Sequence, residues 1–440
     1  MRAPKPPTLD HAQHRQRVLD ALGPDEAVLV FGAPTRTRNS DSDHRYRPDS
    51  DLYWLTGWED PECAIFLRPG EHPFTLFVQP RDPKREQWDG FRPGPNGAVA
   101  EYGADEAFEI GELPEQLTRL VQGVRVLHYR FAQDPDQDAL VAGAIQKATR
   151  AARRNGLSIP ETFHSPAVLL HELRLRKSEA ELKVLRRAAA LSVEAHRRAM
   201  SRTRSGLHEY DIEATLQHTF LAHGSTGAGY TPIVGAGRNA TVLHYNRNRD
   251  PLCDGDLLLV DAGGEHHYYT ADITRTWPVS GRFTDAQTRV YQWVLAAQDR
   301  AIDQCRAGRP REAIHEAAVR TLTEGMIDLG LLEGPVDARI EDESYKRYYM
   351  HGTSHWLGLD VHDVGAYGRD GAVRTLEPGM VMTVEPGLYI ASDDDDAPEA
   401  LRGIGIRIED DIVVTDGDPE NLTAGAPRTV AEIEALVGQD

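Results

Sequence analysis

Cysteine is almost missing from this chain. Only Cys63, Cys253 and Cys305 are present, far apart and odd in number. That excludes a disulfide frame and a Cys-ligated zinc, and it fits a reducing compartment. Long apolar runs are missing too. No stretch approaches the ~18 consecutive apolar residues of a membrane helix, so no membrane association is expected. The opening stretch, MRAPKPPTLDHAQHRQRVLD, has no apolar core of a secretory signal, which makes a cytoplasmic location the expectation. A basic excess is absent: 49 Lys and Arg face 69 Asp and Glu, for a net charge of −20. A phosphate backbone needs a basic face, so nucleic acid is not an expected partner. No Gly-rich phosphate loop follows a strand-like run. The acidity serves solubility, and part of it is available for binding cations.

What is there describes an ordinary globular chain with ample core: 40% hydrophobic and 27% charged residues over 440 positions. That length predicts two domains. The first, residues 1–165, reads as α/β. A short helix is expected at 11–22 and strands at 27–31, 52–57, 63–67, 74–78 and 124–129, followed by a helix at 137–154 ended by Asn155-Gly156. The proline-bearing stretch Ser158–Pro166 reads as a linker. In the second domain, 166–440, Ser178-Glu-Ala-Glu181 is a capping box that opens a long helix. A second helix (208–222) and strands at 231–234, 256–260 and 268–279 follow it. Thr284 and Pro310 then open two more helices, and strands return at 348–350, 380–384 and 405–414. Two helices followed by strands thus occur twice. The residues differ but the order repeats, which predicts two halves about a pseudo-twofold axis, with ligands drawn from both to a site where they meet.

The richest chemistry lies in HGTSHWLGLDVHD (351–363), which packs His351, His355 and His362 into one Gly-containing segment. Imidazole is both a common metal ligand and the usual acid–base group near neutral pH. Four carboxylates stand on strand-like runs around it. Asp261 ends an apolar strand, and Asp272 lies in the next one. Antiparallel pairing would bring the two side by side, and such a pair needs either a shared proton or a cation. Glu385 follows an apolar run, where an unpaired carboxylate is costly. Glu409 sits two residues after Arg407, on one strand face. Each has an ordinary alternative: Asp before Gly-Gly is common turn chemistry, and a lone histidine is more often a hydrogen-bonded interior residue. As a set, they describe an oxygen-rich site with one imidazole, suited to Mn(II) or a similar hard ion. Bridging carboxylates would hold two metals about 3.5 Å apart.

HGTSHWLGLDVHD, VDAGGEHHYYTADITRTWPV (260–279), MVMTVEPGLYI (380–390) and GIGIRIEDD (403–411) resemble the metallopeptidases of the pita-bread fold. RYRPDSDLYWLTGWEDPE (45–62) resembles the amino-terminal domain of the aminopeptidase P group within them. The resemblance implies an α/β amino-terminal domain and an α+β pita-bread catalytic domain. It implies that Asp261, Asp272, His355, Glu385 and Glu409 bind two divalent metal ions, usually manganese. It implies that His244, His351 and His362 serve substrate binding and transition-state stabilisation. It also implies a homo-oligomer, tetramer or dimer, with a residue matching Trp88 reaching a neighbouring active site.

The activity expected from this is hydrolysis of the first residue from peptides with proline second. A metal-bridging hydroxide would be the nucleophile. Glu385 would carry the proton, His362 and His244 would stabilise the oxyanion, and Arg407 would orient a carboxylate ligand rather than touch substrate. A prolidase, cleaving Xaa-Pro dipeptides, shares these ligands and is the nearest rival. A non-catalytic pita-bread binding module is the alternative of another class, and the complete carboxylate set argues against it.

Overall fold

A computed structural model describes residues 9–369 and 371–440. The chain divides into two compact units, Met1–Arg174 and Leu175–Asp440.

The first unit is built on a six-stranded sheet. Its order is Glu106–Glu109, Phe74–Val78, Ala64–Leu67, Glu26–Phe31, Val126–His128 and Thr162–His164. Glu26–Phe31 runs antiparallel to Ala64–Leu67 and parallel to Val126–His128. Ala27, Leu29, Phe66, Phe77 and Leu127 pack there with Val141 and Ala144 of the helix Pro135–Asn155. Asp134 caps that helix through the N–H groups of Asp136 and Gln137, and Gly156 ends it in the left-handed conformation, φ 64°.

Two expectations for this unit fail. The segment 52–57 is not a strand: Ser50–Thr56 is a helix. The Asp49 side chain accepts from Leu52 N at 3.0 Å, and Gly57 closes the turn at φ 68°. Cap chemistry at both ends outweighs the aromatic composition that suggested a strand. Ser158–Pro166 is not only a connection. It supplies the edge strand Thr162–His164, parallel to Val126–His128, and an edge tolerates prolines nearby. The helices Pro83–Asp89, Gly94–Tyr102 and Leu113–Leu120 had no counterpart in the sequence reading.

In the second unit the expected repeat of element order is present. Helices Glu179–Arg202 and Glu209–Ala222 precede a three-stranded antiparallel sheet, Ile233–Ala236, Leu257–Asp261 and Thr274–Pro278. Helices Asp285–Ile302 and Glu312–Asp328 precede a second one, Val381–Val384, Asp410–Val413 and Glu420–Asn421. A strand pair, Gly387–Tyr389 with Gly405–Arg407, meets the first sheet at Thr274–Pro278 and Leu257–Asp261. The capping box expected at Ser178/Glu181 forms, and Thr284, expected as an N-cap, makes a box with Gln287 as well.

Two long strands expected here are interrupted. The run 268–279 divides into Tyr269–Thr270 and Thr274–Pro278, and 405–414 into Gly405–Arg407 and Asp410–Val413. The breaks fall at Asp272 and Glu409. The segment 348–350 is no strand; Tyr348 and Tyr349 follow the 3-10 turn Ser344–Arg347 and are buried in the core. Large aromatic rings there gain more from burial than from pairing.

Arg275 joins the two halves. Its wholly buried guanidinium donates to Thr274 O (2.9 Å), Glu409 O (2.6 Å), Pro427 O (3.0 Å), Ala426 O (3.2 Å) and the Asp410 carboxylate (2.7 Å). All five donors of the side chain are thereby used. Thr274 and Glu409 also form a β-bridge. The chain on either side of the two strand breaks is therefore fixed across the halves.

Candidate metal centre

Asp261 closes the strand Leu257–Asp261. The glycines after it are not turn glycines. A Cβ on Gly263 would lie 1.6 Å from the carbonyl oxygen of Ala271, so glycine there permits a close passage of the two segments. Ala262 N donates to Ile273 O at 3.0 Å in the same passage. This brings Asp261 and Asp272 together, and the Tyr230 hydroxyl lies 2.6 Å from Asp261 Oδ1 and 2.5 Å from Asp272 Oδ1. Tyr230 was not singled out in the sequence. Its segment, Gly227-Ala-Gly-Tyr230, carries no pattern that marks it.

The other candidate ligands are also held by hydrogen bonds. The Asp411 carboxylate accepts from Asp272 N at 3.1 Å. Thr274 Oγ1 donates to Glu409 Oε2 at 2.7 Å. Glu385 follows the strand Val381–Val384, and its backbone N–H donates to Thr353 O at 2.8 Å. His355 Nδ1 lies 3.0 Å from Trp356 O. Nδ1 must carry the hydrogen to bond a carbonyl, which leaves Nε2 bare, as a metal ligand requires. That Nε2 is 3.5 Å from Asp272 Oδ2 and 3.7 Å from Glu385 Oε1. Ligand atoms of Asp272, His355 and Glu409 all lie within 4.8 Å of one another.

Arg407 behaves as a holder of this set. Its Nη2 donates to Asp261 Oδ2 (2.7 Å), its Nε to Thr274 Oγ1 (3.1 Å) and its Nη1 to Tyr389 OH (3.0 Å). Tyr389 OH is 2.9 Å from His351 Nε2, while His351 Nδ1 is 2.7 Å from Gly352 O. The directions follow: Nδ1–H donates to the carbonyl, and the Tyr389 hydroxyl donates to Nε2. Burial and the nearby Arg407 charge pull the His351 pKa down to about 4, so this imidazole is neutral at pH 7. His362 stacks on His355, with ring centroids 4.1 Å apart and planes at 11°. Its loop is anchored by Asp363, whose carboxylate pairs with Lys177 Nζ at 3.0 Å, both side chains 1% exposed.

One cavity of about 510 Å³ is lined by His244, Asp261, Asp272, His351, His355, His362, Glu385, Arg407 and Glu409, all candidates from the sequence, whereas Trp88 is not among its lining residues. Burial, then mutual repulsion, drives Asp272, Glu385 and Glu409 toward protonation. The Glu385 pKa rises to about 8, and those of Asp272 and Glu409 go well above the usual range. Carboxylates crowded this way accept a cation in place of protons. Four carboxylates and one bare imidazole nitrogen, without sulfur, therefore fit a hard divalent metal ion.

The acidic run Asp393–Asp396 is elsewhere and is partly engaged: Asp394 and Asp396 accept from Arg347 at 2.6 and 2.9 Å, and Asp395 from Arg402 at 3.0 Å.

Comparison with known proteins agrees with this chemistry. The metallopeptidase family M24 profile matches residues 183–416, and that of the aminopeptidase P N-terminal domain matches 11–128. The Xaa-Pro aminopeptidase of Escherichia coli is 42% identical, over 97% of this chain and 96% of its own length. The Xaa-Pro aminopeptidase 3 of Homo sapiens is 34% identical, over 95% of this chain and 82% of its own. The structure of Pseudomonas aeruginosa aminopeptidase PepP superposes with a TM-score of 0.95 at 47% identity, covering 99% of this chain and 98% of that one. Pita-bread halves and amino-terminal domain coincide in one molecule, and the chain belongs to metallopeptidase family M24, with the N-terminal domain of aminopeptidase P.

Proposed function

We propose that this chain is an Xaa-Pro aminopeptidase, releasing the first residue of peptides that carry proline second. The observation that supports this most is the gathering of Asp261, Asp272, His355, Glu385 and Glu409 on one cavity together with three further imidazoles. These five residues would hold two divalent ions, with Mn(II) the best match to the donor set. Bound there, such ions supply Lewis-acid polarisation of a carbonyl and ease deprotonation of water.

The chain's own groups do the rest. Glu385 takes the proton from the attacking water and returns it to the proline nitrogen as the bond breaks. His362 and His244 donate to the carbonyl oxygen as charge builds on it. Neutral His351, oriented by Tyr389, binds substrate at the cavity edge. Arg407 keeps Asp261 in its ligand orientation. A dedicated enzyme suits this substrate because proline has a fixed φ and, within a peptide, a nitrogen without hydrogen. No helix among the described residues is long and apolar enough to cross a membrane; the reading places the enzyme in the cytoplasm as a homo-oligomer, dimer or tetramer. Trp88, 84% exposed on the helix Pro83–Asp89, is then available to a neighbouring subunit.

The test is hydrolysis of Ala-Pro-Ala, Ala-Pro and Ala-Ala-Ala by Mn(II)-loaded protein, with bound metal counted by elemental analysis. Release of alanine from Ala-Pro-Ala alone is expected. Cleavage confined to Ala-Pro would make it a prolidase. No cleavage at all with metal bound would leave only a binding role.

A further inference from the structure

Glu209 is a buried carboxylate outside the metal centre, and it has no part in the mechanism above. It is the first residue of the helix Glu209–Ala222 and is 0% exposed. Among the described residues no Lys or Arg pairs with it. A charge in that setting is costly unless hydrogen bonds replace its water. Here they do: Oε1 accepts from Ala236 N (2.8 Å) and Asn239 Nδ2 (2.9 Å), and Oε2 accepts from Tyr245 OH (2.8 Å) and Asp250 N (2.9 Å). Two donors on each oxygen fill the four lone-pair sites of a carboxylate. The helix N-terminus favours the negative charge as well.

All four donors belong to one segment, 236–250. No strand pairing runs through residues 242–250, so its course depends on anchors of this kind. Asn248 is another, bonded to Val234 N (3.1 Å), Pro232 O (2.9 Å) and Glu213 (2.9 Å). Between Asn239 and Asp250 the chain presents Leu243, His244 and Asn246 to the cavity. Leu243 and Tyr245 pack with Ile233, Ala240, Leu259 and Tyr389. His244 is therefore flanked by a residue whose hydroxyl ends on Glu209.

We infer that Glu209 is a positioning residue for substrate binding: its carboxylate sets the shape of the 236–250 segment and so the place of His244 in the cavity. The inference rests on the reading of His244 as a group that touches substrate. Glu209→Gln keeps the volume but turns an amide N–H₂ toward two of the four donors. The measurement is kcat and KM on Ala-Pro-Ala for the wild type, Glu209→Gln, His244→Ala and the double variant, each with its bound metal counted. Expected is a loss of about ten- to a hundredfold in kcat/KM from Glu209→Gln, with metal content unchanged, and a loss under about twofold when the same change is made on His244→Ala. Tyr245→Phe, which removes a single donor, serves if Glu209→Gln fails to fold; its smaller loss must vanish in the same way. Equal losses in both backgrounds would overturn the inference while leaving His244 its role. Undiminished turnover in His244→Ala would overturn both.

Discussion

Single atoms decide whether the metal centre is well formed. Tyr230 has one hydroxyl hydrogen and two carboxylate oxygens within hydrogen-bond reach. It cannot donate to both, so the second contact is relieved only by a proton on one acid or by a cation drawing charge from the pair. Tyr230→Phe is expected to weaken divalent-ion affinity by about ten- to a hundredfold with the fold intact. Mn(II) titration followed by loss of the free-ion EPR signal measures it; unchanged affinity would remove the clamp role. His196, wholly buried, bonds the Ala262 carbonyl through Nε2 at 2.9 Å, and burial lowers its pKa to about 4. The unfolded chain takes up this proton near pH 6.5, the folded one only near 4. Stability tied to the neutral ring is thus complete above about pH 6.5 and is lost as pH falls toward 4. Between pH 7.5 and 5 the wild type should lose about 2 kcal/mol more than His196→Gln in urea unfolding, and parallel losses would refute this. At this scale the sequence was informative where residue type implied chemistry: the nine candidates that share the cavity carry imidazole, carboxylate or guanidinium. Tyr230, Thr274 and Glu209 were not legible, because their roles arise from which distant oxygen each one meets.

Whole elements show the same division. The capping box at Ser178 and the N-cap at Thr284 were readable because residue type and short-range spacing specify them. The helix Ser50–Thr56 was not, since its aromatic run suited a strand until Asp49 and Gly57 are seen to close both ends. Strands drawn through Asp272 and Glu409 were too long for a physical reason. A ladder residue alternates its side chain across a sheet, whereas these two carboxylates must reach a shared point from different strands, and a break frees them to do so. The loop bearing His362 depends in turn on the Lys177–Asp363 pair, which passes Gly358 so closely that a Cβ there would sit 2.2 Å from Asp363 Oδ2. Lys177→Met is expected to cost about 3–5 kcal/mol by removing the buried ammonium that Asp363 pairs with. Adding Asp363→Leu should recover most of that in urea unfolding while turnover of Ala-Pro-Ala stays low. Recovery of both would show that the pair supports the fold only.

The whole chain carries a net charge of −20. Acids held together in the second unit repel one another until a cation is present, so ligand and stability are linked. Stripping the protein with a chelator is expected to lower its thermal midpoint by roughly 5 °C or more, and Mn(II) should restore it. Calorimetry with and without the ion checks this, and coincident scans would argue against occupancy. The two-unit layout and the doubled element order were legible because composition and helix–strand order survive without knowing any contact. The register that joins the two sheets was not legible, because Thr274 and Glu409 are 135 positions apart.

Arg275 carries a consequence for how this protein comes to be made. Its cation originates in the earlier-synthesised half, and three of the four carbonyls it binds, with the Asp410 carboxylate, come from the later one. Until translation passes Pro427, that guanidinium has no dry place to go. The first half should therefore wait on the ribosome incompletely packed, and a nascent chain arrested before residue 400 should remain open to protease near Arg275, whereas the released full-length chain resists.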